Sequence, residues 1–164
     1  MKNLKVGLSI IIGALALSTA IAADKKEVPA KKTTHGEYKD WRLLSVSHRT
    51  DKKTLRAILG NDKAIEAARS GKTKPWPNGT VIAKVVWKER AHPNWAAAVV
   101  PADFAAAEAM IKDSKKYAST GGWGFGHWVD GKLEMHPKET SDTCFACHIP
   151  VKDNDYVYTF PALK

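Results

Sequence analysis

Short stretches of alternating apolar and polar residues recur along the chain, and this alternation is typical of β-strands that bury one face. The clearest is 80–87, which is rich in β-branched residues and follows Asn78-Gly79, a turn signal. The segment 123–129 carries rings at positions 123, 125 and 127. The predicted strands cover 38–46, 54–60, 80–87, 95–100, 123–129, 133–135 and 156–160.

Two other stretches have helical character. Asn61 is a favourable N-cap residue, and the alanines and isoleucine after it predict a short helix as far as Arg69. The alanine-rich segment 104–117 has apolar residues near helical spacing and is followed by Gly121-Gly122, so it predicts a longer helix. A sheet combined with two or more helices belongs to the α+β class.

The N-terminus has the three parts of a secretory signal peptide. Lys2 and Lys5 are basic, 6–17 is apolar, and Ala20-Ile21-Ala22 fits the small-x-small cleavage rule. The apolar run is too short for a stable membrane span. We therefore expect a periplasmic mature chain with no membrane span. The expected parts are a signal peptide at 1–22, a basic tail at 23–36 and one domain at 37–164.

Basic residues exceed acidic ones, with 26 lysines and arginines against 17 aspartates and glutamates, for a formal net charge of +9. In an exported protein this excess favours a solvated basic surface, and we expect no nucleic-acid partner. A weaker functional interpretation is attraction of an acidic electron-transfer partner or an anionic small molecule.

The most informative motif is Cys144-Phe145-Ala146-Cys147-His148, the C-x-x-C-H attachment signature of c-type haem. Its two thiols can add to the two vinyl groups of one porphyrin, and the histidine can ligate the iron. Both cysteines of the chain lie in this motif. A disulfide or redox pair is the second interpretation. A zinc site completed by His127 and His136 is the third, although their spacing matches no common zinc pattern.

The late position of the motif limits the choice of a sixth iron ligand. The 16 residues after His148 (149–164) include no methionine or histidine. Such a ligand must come from upstream, or the distal position is open. An electron-transfer cytochrome with six-coordinate iron would draw on His92, His127, His136, Met110 or Met135. Because Pro150 follows closely, we expect the motif to lie in a loop.

Lys84 has an unusual position in the clearest strand. Because side chains alternate between the faces of a strand, Lys84 shares a face with the apolar residues Ile82 and Val86. A buried ammonium is unfavourable unless it is paired or neutralised. Either its stem packs while the amine reaches water, or the amine faces a group that needs a nitrogen.

Four segments in combination resemble the cytochrome P-460 family. They are 78–84, similar to the region of its haem-linked lysine; 108–118, similar to its central helix; 122–125, similar to the next strand; and the late haem motif with 155–160 downstream. The resemblance extends from about Tyr38 to the end of the chain. The haem motif alone is common, whereas this combination is not.

The resemblance implies a predominantly antiparallel sheet with packed helices, one c-type haem and a homodimer. It also implies high-spin iron with a proximal histidine and an open distal side. Enzymatic members of that family oxidise hydroxylamine, alone or with nitric oxide, and have a lysine amine bonded to the porphyrin. A sister group, the sheet-based cytochromes c′ (c′-β), shares the fold without that bond and binds nitric oxide and carbon monoxide.

The resemblance also assigns haem-binding roles by position. Cys144 and Cys147 match the thioether residues, and His148 matches the axial iron ligand. Lys84 matches the crosslinking lysine. The implied cofactor is therefore one haem c, attached through the two cysteines, with Lys84 as the candidate for an additional bond.

Two further residues are candidates for catalysis. Arg56 matches a pocket arginine, and Glu139 falls near a carboxylate that some active members possess. An exposed loop glutamate is the simpler interpretation of Glu139. The implied function is a mono-haem cytochrome that oxidises hydroxylamine or binds nitric oxide, with a small cytochrome as a candidate electron acceptor.

Overall fold

The computed structural model describes residues 38–163, and the predicted signal peptide and basic tail lie outside this range. Six strands form one antiparallel sheet, in which each strand pairs with its neighbours in sequence. The strands are β1 (Arg42–Arg49), β2 (Thr54–Gly60), β3 (Val81–His92), β4 (Trp95–Lys112), β5 (Trp123–Val129) and β6 (Lys132–Met135). The α-helices are α1 (Asp62–Arg69) and α2 (Lys138–His148). The predicted α+β fold is confirmed.

The two faces of the sheet contribute to two separate buried clusters. The cluster on one face, here the helix face, joins Ile58 of β2 and Ile82 of β3 to Ile65 of α1, and Phe145 of α2 packs against it. The cluster on the other face contains Tyr38, Trp41, Val81, Ala83, Val85, Ala107, Ala109 and Trp128. Since alternate side chains point to opposite faces, Lys84 lies on the helix face with Ile82.

Helix α1 begins where the sequence predicts. The Asn61 side chain accepts hydrogen bonds from the backbone amides of Ala64 (3.0 Å) and Val81 (3.1 Å), and it donates one to the carbonyl of Gly79 (2.9 Å). One cap thus ties the start of α1 to the start of β3. Within residues 38–163, no helix has both the length and the apolarity required to span a membrane.

The helix predicted over 104–117 is wrong, because residues 104–112 continue strand β4. Alanine prefers a helix by only about 0.7 kcal/mol per residue or less. In the fold this segment pairs with β3 on one side and with β5 on the other. Ala107 and Ala109 are buried, while Glu108 between them is exposed, so the burial pattern has the strand period of two. Pairing at both edges outweighs the local preference.

The C-terminal region differs from the prediction in two ways. The haem motif lies in helix α2 and not in a loop, and 156–160 forms no strand. Asp155 and Tyr156 have φ angles of 50° and 61°, which interrupt extended geometry at the point where the strand would start. The segment instead contacts β1 through single hydrogen bonds, such as the one that the Ser45 hydroxyl donates to Phe160 O at 2.9 Å.

Candidate functional site

The two cysteines occupy the last turn and a half of helix α2. Residues three apart lie on neighbouring positions of one helix face, so Cys144 and Cys147 present their thiols in the same direction. Both thiols are free, with Cys144 half-buried and Cys147 exposed. The helix ends at His148, and Pro150 falls in the first turn of the 3₁₀ helix that follows (Ile149–Asn154), where proline is tolerated.

The intervening residue anchors this part of the helix. Phe145 packs against the buried cluster of the helix face, with its ring 5.0 Å from that of Tyr156. The same cluster accounts for the burial that raises the pKa of the Cys144 thiol, with the charge of Glu108 as the next cause. The core therefore fixes the side of the helix on which the thiols emerge.

His148 is oriented by a single short hydrogen bond. Its Nδ1 lies 2.6 Å from the carbonyl oxygen of Tyr156. A carbonyl can only accept, so Nδ1 carries the proton and Nε2 keeps a free lone pair for a metal. The rings of Phe125 and Tyr158 flank the imidazole, each at 5.4 Å between centroids. Burial lowers the pKa of His148, which favours the neutral, metal-binding form.

Lys84 forms an ion pair that the sequence pattern did not predict. Lys84 of β3 and Glu108 of β4 are directly opposite in the antiparallel register, and their side chains pair on the helix face. The side chains are 34% and 47% exposed. The pairing, together with partial contact with water, explains how the ammonium is tolerated between Ile82 and Val86.

These charges lie close enough to the haem motif to act on it. After burial and the Tyr156 hydrogen bond, Lys84 and Glu108 are the charges that perturb the pKa of His148. They also act in opposite directions on the pKa of Cys144. The charge of Lys84 therefore acts on the motif, although the two are far apart in sequence.

Arg56 and His127 extend this group of polar side chains. Arg56 of β2 is opposite Val86, and His127 of β5 is opposite Glu108. Burial lowers the pKa of Arg56, while the charge of Glu108 opposes that effect. Among the described residues, Arg56 Nε and His127 Nδ1 are buried without a hydrogen-bond partner. Four further buried side-chain atoms also lack a partner, on Trp41, Thr54, Trp76 and Thr80. A group bound at this face would satisfy the nitrogens of Arg56 and His127.

Glu139 is not part of this arrangement. It lies in the first turn of α2 and is exposed. Its backbone carbonyl accepts a hydrogen bond from the Thr143 hydroxyl (3.0 Å). Within residues 38–163, no hydrogen bond or ion pair joins its carboxylate to Arg56, Lys84 or the haem motif. Glu108 is the carboxylate that pairs with Lys84. A helix over 104–117 does not predict this pairing, because only a strand puts Glu108 opposite Lys84.

A comparison with protein-family models matches the cytochrome P460 model over residues 35–159. The chain belongs to the cytochrome P460 family. Membership identifies it as a c-type cytochrome and implies haem c as its cofactor. A sequence search of curated proteins found no match.

The residues of this cytochrome fit haem c. Two free thiols on one helix face are available for the thioether bonds, and the adjacent histidine has Nε2 free and its ring held in place. The orphan nitrogens of Arg56 and His127 are donors or acceptors that a haem or its ligand would satisfy. Cys144, Cys147 and His148 would thus hold the haem, and Lys84, Glu108 and Arg56 lie on the helix face of the sheet, against which α2 packs.

Proposed function

We propose that this cytochrome is a periplasmic mono-haem enzyme that oxidises hydroxylamine at an open distal iron position. The observation that carries the proposal is the Lys84–Glu108 pair on the helix face, because the charges of both residues act on Cys144 and His148 of the haem motif. The amine corresponds to the porphyrin-linked lysine that the resemblance implies, and the carboxylate can act as a proton acceptor. The bound haem would supply storage of the electrons.

The open distal position is supported by the surroundings of the candidate sixth ligands. Met110 packs against the buried cluster of the helix face, and Met135 is 38% exposed. His92 accepts a hydrogen bond from the Asn94 amide (3.1 Å) near the end of the β3–β4 hairpin. His127 and His136 stack on each other at 4.7 Å between centroids. Met110, His92 and the two stacked histidines thus already have partners within the protein, which supports an open distal position.

Glu108 is the proton acceptor that we propose. Oxidation of hydroxylamine releases protons together with electrons, and a base must lie within hydrogen-bond reach to take them. Glu108 is half-exposed, so it can pass protons to water. Arg56, with its unpartnered Nε, would donate a hydrogen bond to the bound substrate or to a haem propionate.

A second candidate function is binding of nitric oxide or carbon monoxide without turnover. The observation that favours it is the same ion pair, because pairing with Glu108 explains the position of the Lys84 ammonium without a bond to the porphyrin. In that case Lys84 is a structural cation, and the protein is a counterpart of the sheet-based cytochromes c′. The state of the Lys84 amine therefore distinguishes the two functions.

Absorption spectra of the matured protein test the role of Lys84. We expect Lys84→Ala to retain haem through the thioethers but to lose a red-shifted Soret band, since the porphyrin would lose a substituent. Lys88→Ala is the matched control, because Lys88 lies in the same strand and is exposed. Identical spectra for wild type and Lys84→Ala would refute the haem–lysine bond and favour the gas-binding function.

Hydroxylamine turnover tests the choice of base. We expect Glu108→Gln to lower kcat by about 10²–10⁴-fold, the range for loss of a general base. Glu139→Gln is the control, and we expect it to leave kcat unchanged because its carboxylate contacts none of the site residues. The opposite result, with turnover lost only in Glu139→Gln, would identify Glu139 as the base, as the family resemblance implies.

The location and the partners are proposals that rest on the sequence. The signal-like segment 1–22 supports export, and haem c is attached outside the cytoplasm. N-terminal sequencing of the periplasmic protein is expected to begin at Ala23. We also propose a homodimer and a small cytochrome as electron acceptor; sedimentation velocity of the holoprotein tests the first, and reduction of an added cytochrome c during turnover tests the second.

A further inference from the structure

A buried ion pair includes Asp155, which precedes the residue whose carbonyl bonds His148. Lys112 at the end of β4 donates from Nζ to Asp155 Oδ1 over 2.8 Å, and the two side chains are only 5% and 10% exposed. Taking two ions out of water is costly, and apolar replacements of such pairs are often neutral or stabilising. Stability alone is therefore a weak explanation for this pair.

The Lys112 ammonium is fully engaged at its site. Besides Asp155, it donates to the carbonyl of Gly121 (3.1 Å), and it lies 4.9 Å from the centroid of the Trp123 ring. A cation over an indole face is itself favourable. The ammonium thus connects Asp155 to Gly121, the residue on which the Tyr156 ring rests.

Asp155 is held from several directions. Its Oδ2 accepts from the Trp76 amide (2.8 Å), and its carbonyl accepts from Trp123 Nε1 (2.8 Å). Its own amide donates to Lys152 O (2.9 Å). Asp155 and Tyr156 both have left-handed φ angles, 50° and 61°. Two consecutive non-glycine residues adopt this unfavourable conformation only when their surroundings impose it.

The imposed conformation directs the carbonyl that orients the haem ligand. Tyr156 O accepts the hydrogen bond from His148 Nδ1 at 2.6 Å. We propose that Lys112 and Asp155 are positioning residues for His148. By holding the Asp155–Tyr156 turn, the ion pair sets the strength of the Nδ1 hydrogen bond and so tunes the imidazole that binds the iron.

This role has a specific electronic consequence. A stronger hydrogen bond at Nδ1 makes the imidazole a better electron donor to the metal, which strengthens the iron–nitrogen bond and stabilises the ferric state. The inference rests on His148 as the haem ligand and not on the substrate. It can therefore be tested without hydroxylamine, and its failure would leave the proposed oxidation untouched.

The test is resonance Raman spectroscopy and redox titration of the ferrous and ferric holoprotein. In Asp155→Asn, which keeps a residue tolerant of positive φ, we expect the iron–histidine stretch to move to lower frequency and the reduction potential to rise. Because this variant leaves Lys112 charged and unpaired, the double variant Lys112→Met/Asp155→Asn provides a second version with no buried ion. We expect it to regain stability but to keep both shifts.

Val85→Ala is the control for a general loss of packing, since Val85 belongs to the buried cluster on the opposite face. It should lower the unfolding free energy while leaving the stretch and the potential at their wild-type values. Wild-type values of both quantities in the double variant would overturn the proposal and leave Lys112–Asp155 as a stability element only.

Discussion

Replacement of Gly121 by alanine would displace Tyr156, whose carbonyl orients His148 of the haem motif. Gly121 has a φ of 65°, in the region that favours glycine, and a Cβ there would lie within 2.8 Å of three atoms of the Tyr156 ring. The ring has little room to move, because it packs against Phe145 and the Tyr156 carbonyl accepts the His148 bond. Backbone strain and a steric clash therefore act together.

Gly71 allows the two effects to be separated. It has a φ of 70°, and nothing lies within 4 Å of a Cβ built on it. Alanine in the left-handed region costs about 1–2 kcal/mol, and the stiffer unfolded chain offsets about 0.4–1 kcal/mol of this. We expect Gly71→Ala to lower the unfolding free energy by about 1 kcal/mol. Gly121→Ala adds overpacking worth about 1–3 kcal/mol, for a total of about 2–4 kcal/mol.

The assay is urea denaturation of the two holoprotein variants, followed by far-ultraviolet circular dichroism. The midpoints should fall in the order wild type, Gly71→Ala, Gly121→Ala, with similar slopes. The ferrous absorption spectrum should change in Gly121→Ala alone, because only that variant displaces Tyr156. Equal losses of stability in the two variants would show that the close packing of Tyr156 on Gly121 has no energetic weight, and would refute the reasoning.

Two further predictions concern stability. Asn61→Ala should lower the unfolding free energy by about 2 kcal/mol, the upper end of the range for an N-cap, because the Asn61 side chain bonds two amides and a carbonyl. Urea denaturation measures this loss, with Lys63→Ala as the exposed-surface control. Equal midpoints for the two variants would contradict the prediction. Burial lowers the pKa of His136 in the folded state, so the unfolded state takes up its proton first as the pH falls. The unfolding free energy should therefore decrease from about pH 6.5 down to the folded pKa, and His136→Gln should lack this contribution; parallel pH profiles of the two proteins would contradict it.

Several elements follow from local sequence alone. The haem motif, the β2 strand and the Asn61-capped helix need only neighbouring residues to be recognised, and the structure confirms the strand and the helix. The alternation of side chains along β3 also predicts that Lys84 shares a face with apolar residues. In each case the signal is contained within about ten residues, where side-chain spacing and capping chemistry act directly.

The secondary structure of segment 104–117 could not be predicted from its local sequence. Its alanines favour a helix weakly, but residues 104–112 complete a sheet between β3 and β5. The incorrect helix had a consequence for the site, because a helix does not predict the pairing of Glu108 with Lys84. Read with a period of two, the segment places Glu108 on the opposite side from Ala107 and Ala109, and the hairpin register then puts it opposite Lys84.

The sequence by itself predicts haem attachment through Cys144, Cys147 and His148, because covalent attachment needs those residue types at that spacing. Only the tertiary structure decided what surrounds them. The partners of Lys84 and of His148 come from other segments, Glu108 across a strand pair and the Tyr156 carbonyl beyond a 3₁₀ helix. Such contacts depend on the strand register and on the turn that contains Asp155, a member of a buried ion pair. Both form only when segments distant in sequence pack together.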